Sequence, residues 1–306
     1  MNEIVKFPNK TTGSVLGSPA AYTSVASARL GIKTGIVTKI GEDMPKNLLK
    51  PFYDAEVDTT GIKVEGKYST TNYLIYDENG NKTLKYLKKA PPITFKDMPN
   101  SYLDSEIIHI CPMDFEVPIK TLKKLKEEGV KLSVDLMGYG GATSTKHPYE
   151  DEETRKFFEE AITFFDVVRA SFEDCEHIFG KGFYLNQALN FFVDKGAEIG
   201  IITLSEKGAI FLTKNTKPLK VPCFKANIVD LTGAGDVFSA GFLTEYIRTR
   251  IPLDSVIFGC AVASLVIEKT GGVLASRMPD AYAVKKRVNK NKYKLKCLHY
   301  NEGKKI

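Results

Sequence analysis

Asp230-Leu-Thr-Gly-Ala-Gly-Asp236 runs directly into Val237-Phe-Ser-Ala-Gly-Phe-Leu-Thr-Glu-Tyr246. Gly233, Ala234 and Gly235 are small enough for backbone N–H groups to close on an anion. The stretch that follows carries Phe238, Phe242 and Tyr246 at helical spacing, so its positive dipole end points at the same place. Asp236 then falls in the first helical turn, where a carboxylate would repel a bound phosphate. Proton abstraction explains it: Asp236 takes the proton from a hydroxyl while the glycine-lined hole holds a phosphoryl group in transfer. The plainer alternative is a first-turn acid placed there by the helix dipole. Two other phosphate motifs are excluded. A P-loop needs Lys-Ser or Lys-Thr to close it, and a dinucleotide fingerprint needs a third glycine where Phe238 stands.

The chain has 306 residues, 43% of them hydrophobic, enough for a large core. Its net charge of +6 comes largely from Lys285-Lys-Arg287, Lys290, Lys292, Lys294, Lys296, Lys304 and Lys305. With little aromatic interleaving, this reads as a solvated last helix and tail, and no nucleic-acid partner is expected. Five scattered cysteines without a Cys-x-x-Cys pair, and four dispersed histidines, fit a reducing compartment and no zinc site. No apolar segment follows Met1, so no signal peptide is expected and the location expected is cytoplasmic. The longest apolar run, Val256 to Ile267, is too short to span a bilayer, so no membrane partner is expected.

Strand-like runs at Thr34 to Ile40, Ile107 to Cys111, Lys131 to Asp135, Asp166 to Arg169 and Ile199 to Leu204 alternate with helical patterns. The helices lie at Ala20 to Leu30, Pro118 to Glu128, Asp151 to Phe165 and Leu185 to Lys195. This alternation predicts a parallel sheet covered on both faces, with its site at the carboxyl ends of the strands. Val64 to Leu87 breaks the pattern: Asn79-Gly80 between alternating runs signals a hairpin, a candidate lid to which Glu3 to Val15 could add.

The string from Asp230 to Asp236, with Phe238 and Gly241, resembles the C-terminal motif of the ribokinase-like (PfkB) family of sugar and nucleoside kinases. Leu16-Gly-Ser-Pro-Ala-Ala-Tyr22, then Ala28-Arg-Leu-Gly31 and Val37-Thr-Lys-Ile-Gly-Glu-Asp43, is similar to that family's N-terminal motif. Thr203-Leu-Ser-Glu-Lys-Gly208 resembles its nucleotide-phosphate turn, and Ala263 to Gly272 the helix and loop beside the adenine. The resemblance runs from about Asn2 to Gly272.

It implies one ribokinase-like domain over residues 1–306, a three-layer α/β/α fold with a mostly parallel sheet and a small β-hairpin lid from segments 3–16 and 64–92. It also implies ATP-dependent phosphorylation of a hydroxyl on a small sugar or polyol, with Mg2+ carried mainly on the phosphates. Asp236 would be the base and Gly233, Ala234 and Gly235 the anion hole. Thr203, Ser205, Gly208, Thr232, Ser171, Asp174 and Gly272 would line the nucleotide; Gly17, Ser18, Tyr22 and Asn2 would face the acceptor. Asp230 would hold a monovalent cation or support magnesium. An exposed lid edge would suit a homodimer.

Three departures qualify the likeness. The family's first buried strand ends in an Asp, and this chain opens at Met1-Asn-Glu-Ile-Val, about where that strand should have ended. Either the functional start lies upstream or another segment serves. The usual Gly-Gly pair is Gly17-Ser18 and the sugar-binding Asn is Tyr22, which leaves a cyclic polyol such as inositol open. The Asn-x-x-Glu element reads Ser171-Phe-Glu-Asp174, and Asp174 could equally be a first-turn helix residue. A catalytically impaired kinase fold kept for ligand binding or regulation is the alternative.

Overall fold

The computed structural model describes residues 1–8, 10–78, 82–291 and 298–299. Strands β1 (Asn2–Phe7) and β2 (Lys10–Leu16) form an antiparallel hairpin. Helix α1 (Pro19–Arg29) starts on Ser18, whose hydroxyl accepts the Ala21 N–H, with proline at the first helical position where an N–H is dispensable. Then come β3 (Gly35–Ile40), the short α2 (Lys50–Asp54) and β4 (Asp58–Val64), with β3 parallel to β4. A second hairpin, β5 (Thr71–Tyr76) and β6 (Lys82–Lys88), sets β5 parallel to β1. The two hairpins make one four-stranded sheet in the order β2-β1-β5-β6. It draws on both segments read as a lid; the Asn79-Gly80 turn lies outside the described residues, as does the lysine-rich tail from Lys292 except Leu298 and His299.

The body continues through β7 (Ile108–Ile110), α3 (Ile119–Glu127), β8 (Leu132–Asp135), α4 (Glu152–Ala161) and β9 (Val167–Ser171). Next are α5 (Phe172–Phe179), α6 (Leu185–Asp194), β10 (Ile199–Thr203), β11 (Ala209–Thr213) and β12 (Leu219–Val221). The chain closes with α7 (Ala234–Thr249), α8 (Pro252–Val266), α9 (Ala281–Asn291) and β13 (Leu298–His299). The central sheet has the order β13-β12-β11-β10-β9-β8-β7, with β7 to β10 mutually parallel and an antiparallel edge beyond β10.

Strand alternation splits the core in two. Val167, Ile199 and Ile201 pack on the α1, α7 and α8 side. Val168, Ala170 and Ile202 pack on the α3 to α6 side. This is the three-layer α/β/α fold. Gly241 and Gly259 let α7 and α8 touch: a Cβ on Gly241 would stand 3.0 Å from the Gly259 Cα.

Two details differ from the sequence reading. The helix foreseen over Asp151 to Phe165 ends at Ala161 and tightens into a 3-10 turn, Ile162–Phe164, whose Ile162 is buried. And β3 with β4 forms a separate parallel pair, not part of the central sheet. Between β3 and β7 lies a cavity of about 810 Å³, lined by Gly35 to Lys39 on one side and Ile107 to Cys111 on the other.

Candidate active site

Gly233 caps α7 with φ +79°, a left-handed conformation that glycine adopts freely. Asp236 is the third helical residue, 9% exposed. Its carbonyl accepts the Thr23 hydroxyl at 3.2 Å, which fastens α1 to α7. The Ala234 N–H already donates to the Leu231 carbonyl at 3.1 Å, and by helix geometry the Gly235 N–H that follows has no intrahelical carbonyl to bond. A Cβ built on Gly235 would stand 2.6 Å from Arg169 Nη2, so the guanidinium lies directly against the glycine loop.

Arg169 is buried at the middle of β9. Its Nη1 donates to Asp135 Oδ2 at 2.6 Å and its Nη2 to Thr203 Oγ1 at 2.6 Å. Burial works to lower the Arg169 pKa, but Asp135, Asp174 and Asp236 raise it, so the charge is held. Burial pushes the Asp135 carboxyl up against the pull of Arg169. A fixed positive charge therefore stands at the mouth of the glycine loop, within reach of the field of Asp236.

Asp230 Oδ1 accepts the Thr232 N–H at 2.9 Å and shapes the turn ahead of the glycines. Its other side faces Arg277, whose side chain is 1% exposed. Arg277 Nε donates to the Lys269 carbonyl at 3.0 Å, Nη1 to the Gly272 carbonyl at 3.1 Å, and Nη2 to the Asp230 and Thr232 carbonyls at 3.1 Å each. Asp230 Oδ2 lies 3.5 Å from Nη2. A guanidinium thus stands among the oxygens that the reading of Asp230 as a holder of a monovalent cation or support for magnesium would use.

Thr203 ends β10 and meets Arg169. The turn that follows puts Ser205 at φ +51° and Gly208 at φ +91°, and a Cβ on Gly208 would stand 2.0 Å from the Val221 carbonyl oxygen. Ser171 and Asp174 form a reciprocal capping box on α5. Asp174 Oδ2 accepts the Ser171 N–H and hydroxyl at 2.7 Å each, and Oδ1 accepts the Ala142 N–H at 2.9 Å. Both oxygens of this carboxylate serve the fold, which accounts for it as a first-turn helix residue. Gly272, at φ +66°, lies near the Tyr22 hydroxyl, behind the glycine loop.

On the opposite side, Gly17 leaves room for Glu3: a Cβ there would stand 3.2 Å from Glu3 Oε1. Ser18 holds φ +101°, a strained setting for a non-glycine residue. Asn72, wholly buried on β5, donates from Nδ2 to Glu3 Oε2 at 3.2 Å. Asn2 Oδ1 and Asn72 Oδ1 are buried acceptors without a partner among the described residues. Tyr22 is 3% exposed; its ring packs under Gly233 and its hydroxyl lies 3.5 Å from Arg277 Nη1. The phenol thus supports the loop from behind, not from an open wall, and burial raises its pKa.

The structure brings together Asp236, the glycine loop, Thr203 and the Gly17-Ser18 turn. Sequence reasoning passed over Arg169, Arg277, Glu3 and Asn72. Only Arg169 carried a signal, as a charged residue in an otherwise apolar parallel strand.

The family profile described as pfkB family carbohydrate kinase matches residues 9–279. The chain is 28% identical over 269 residues to a cytidine kinase of Thermococcus kodakarensis, covering 87% of this chain and 92% of that protein. It is 25% identical over 262 residues to a ribokinase of Haemophilus influenzae, covering 83% of this chain and 82% of that protein. Among solved structures, a fructokinase with bound ATP from Xylella fastidiosa superposes with a TM-score of 0.80 at 20% identity, covering 95% of this chain and 96% of that one. An Arabidopsis thaliana ribokinase complexed with ribose and ATP superposes with a TM-score of 0.75 at 20% identity, covering 94% and 95%. With the fold shared across almost the whole length and the profile matching from the first hairpin to beyond Arg277, the chain belongs to the PfkB family of carbohydrate kinases.

Proposed function

We propose that this protein transfers a phosphoryl group from ATP to a hydroxyl of a small sugar or polyol. The carrying observation is the buried Asp236 in the first turn of α7, one residue beyond a glycine that lies against the Arg169 guanidinium. When bound, ATP supplies the phosphoryl group, and Mg2+ on its phosphates offsets their charge. Among the described residues no group of three or more His, Cys, Asp or Glu could hold a metal.

Asp236 takes the acceptor's proton at its carboxylate. First-turn N–H groups of α7 and the Arg169 guanidinium stabilise the negative charge on the group in transfer. Thr203, Ser205 and Gly208 line the remaining phosphates. Asn2, Glu3 and Asn72, with Gly17 and Ser18, read the acceptor; the two unpartnered amide oxygens suit hydroxyl donors. The four-stranded sheet covers the acceptor and excludes water.

The test is ADP release with a panel of sugars, nucleosides and inositols, run beside Asp236→Asn. One acceptor should stimulate release, and the variant should lose about 10²–10⁴-fold in kcat with ATP affinity within a few-fold. Wild-type turnover by the variant would overturn the role of Asp236. Acceptor binding without ADP release would favour a ligand-binding protein instead.

A further inference from the structure

We propose that Arg277 is a tethered cation that sets the shape of the glycine loop and makes a free monovalent ion unnecessary. Four backbone carbonyls from two loops, those of Asp230, Thr232, Lys269 and Gly272, converge with the Asp230 carboxylate on one guanidinium. Converging carbonyl and carboxylate oxygens are the donor set of a hard cation. Arginine matches them with five N–H donors in a fixed fork. The Tyr22 ring closes the cage, 5.9 Å from the guanidinium carbon, and also packs under Gly233. The positive charge is thus coupled to the loop's backbone at Thr232 and, through Tyr22, to Gly233. Arg277 acts through these groups and is a positioning residue.

This inference rests on the kinase reading only for its turnover measurement, so thermal unfolding without substrate is measured as well. Wild-type protein in potassium chloride and in choline chloride at equal ionic strength should give the same Tm and the same kcat. Arg277→Ala opens an oxygen cage, and potassium or another monovalent ion should raise its Tm and restore kcat at least tenfold over choline. Guanidinium at millimolar concentration should do likewise, and Arg277→Lys should fall between the two. A wild-type protein that needs potassium overturns the proposal. So does an Arg277→Ala variant indifferent to every ion of the series. Should Arg277→Ala fail to fold in all salts, the wild-type comparison and Arg277→Lys decide.

Discussion

Replacing Gly235 by alanine tests whether the glycine loop and Arg169 work as one unit. The new methyl carbon would stand 2.6 Å from Arg169 Nη2, 3.0 Å from Nη1 and 3.1 Å from Cζ. Ordinary contact is about 3.5–4.0 Å, so the guanidinium must recede by about 1 Å. It is buried and anchored at 2.6 Å to Asp135 and at 2.6 Å to Thr203, and such a shift stretches at least one anchor past hydrogen-bond length. Losing one charge-assisted bond costs about 2 kcal/mol. Alanine's better helix propensity returns about 1 kcal/mol, leaving a net loss of about 1 kcal/mol and a Tm drop of about 1–2 °C. Catalysis has no such offset: a displacement of about 1 Å in a positioned charge lowers turnover about 100-fold. Steady-state ADP release should show the fall in kcat, calorimetry only a small loss of ATP affinity, and unfolding only the small Tm shift. Combining it with Arg169→Lys should cost less than the sum of the single effects, because both act on one contact. A Gly235→Ala protein with wild-type kcat would refute the coupling.

Three further outcomes follow from named contacts. Asn72→Ala should raise KM for the acceptor about tenfold while leaving KM for ATP unchanged, since its amide faces Glu3 on the lid sheet; a rise confined to ATP would contradict that placement. Asp174→Asn should lower stability by about 1–2 kcal/mol through the capping box, with kcat within a few-fold at all magnesium concentrations; a defect cured by excess magnesium would restore the metal-ordering role. Asp97 gives a pH signature. Burial alone would raise its carboxyl, but the Thr94 N–H and hydroxyl with the Lys39 and Lys63 ammonium groups draw it down to about 2. A depressed carboxylate contributes stability that is complete above its unfolded pKa near 4 and is lost as pH falls toward 2, here about 2 kcal/mol. Urea unfolding between pH 6 and pH 2 should lose that component in Asp97→Asn, and an identical pH profile in the variant would count against it.

What could be read along the chain is what local chemistry controls. The alternation of apolar runs gave the parallel strands from β7 to β10 and the helices between them, because periodicity 2 and 3.6 are properties of neighbouring residues. The glycine loop leading into α7 was legible for the same reason: small residues, a helix start and an acid in the first turn are consecutive. So was the β5–β6 hairpin, from the alternating runs on either side of Asn79-Gly80. Partners far apart in sequence left no such trace. Arg277 meets Tyr22 across 255 positions and Thr232 across 45, and Arg169 meets Thr203 across 34. Asn72 reaches Glu3 across 69. Asp174 read equally as a magnesium-ordering residue or a first-turn helix residue, and the Ala142 N–H on its second oxygen comes from 32 positions away. Asp230 was expected to face a cation from the resemblance, and only the fold reveals the buried Arg277 guanidinium beside it, brought from the loop beyond α8. The sequence by itself thus determined the layers, the parallel strands from β7 to β10 and the acid at the helix start. The tertiary structure decided which charges surround that acid, because burial and long-range packing, and not neighbouring residues, bring Arg169 and Arg277 to the glycine loop.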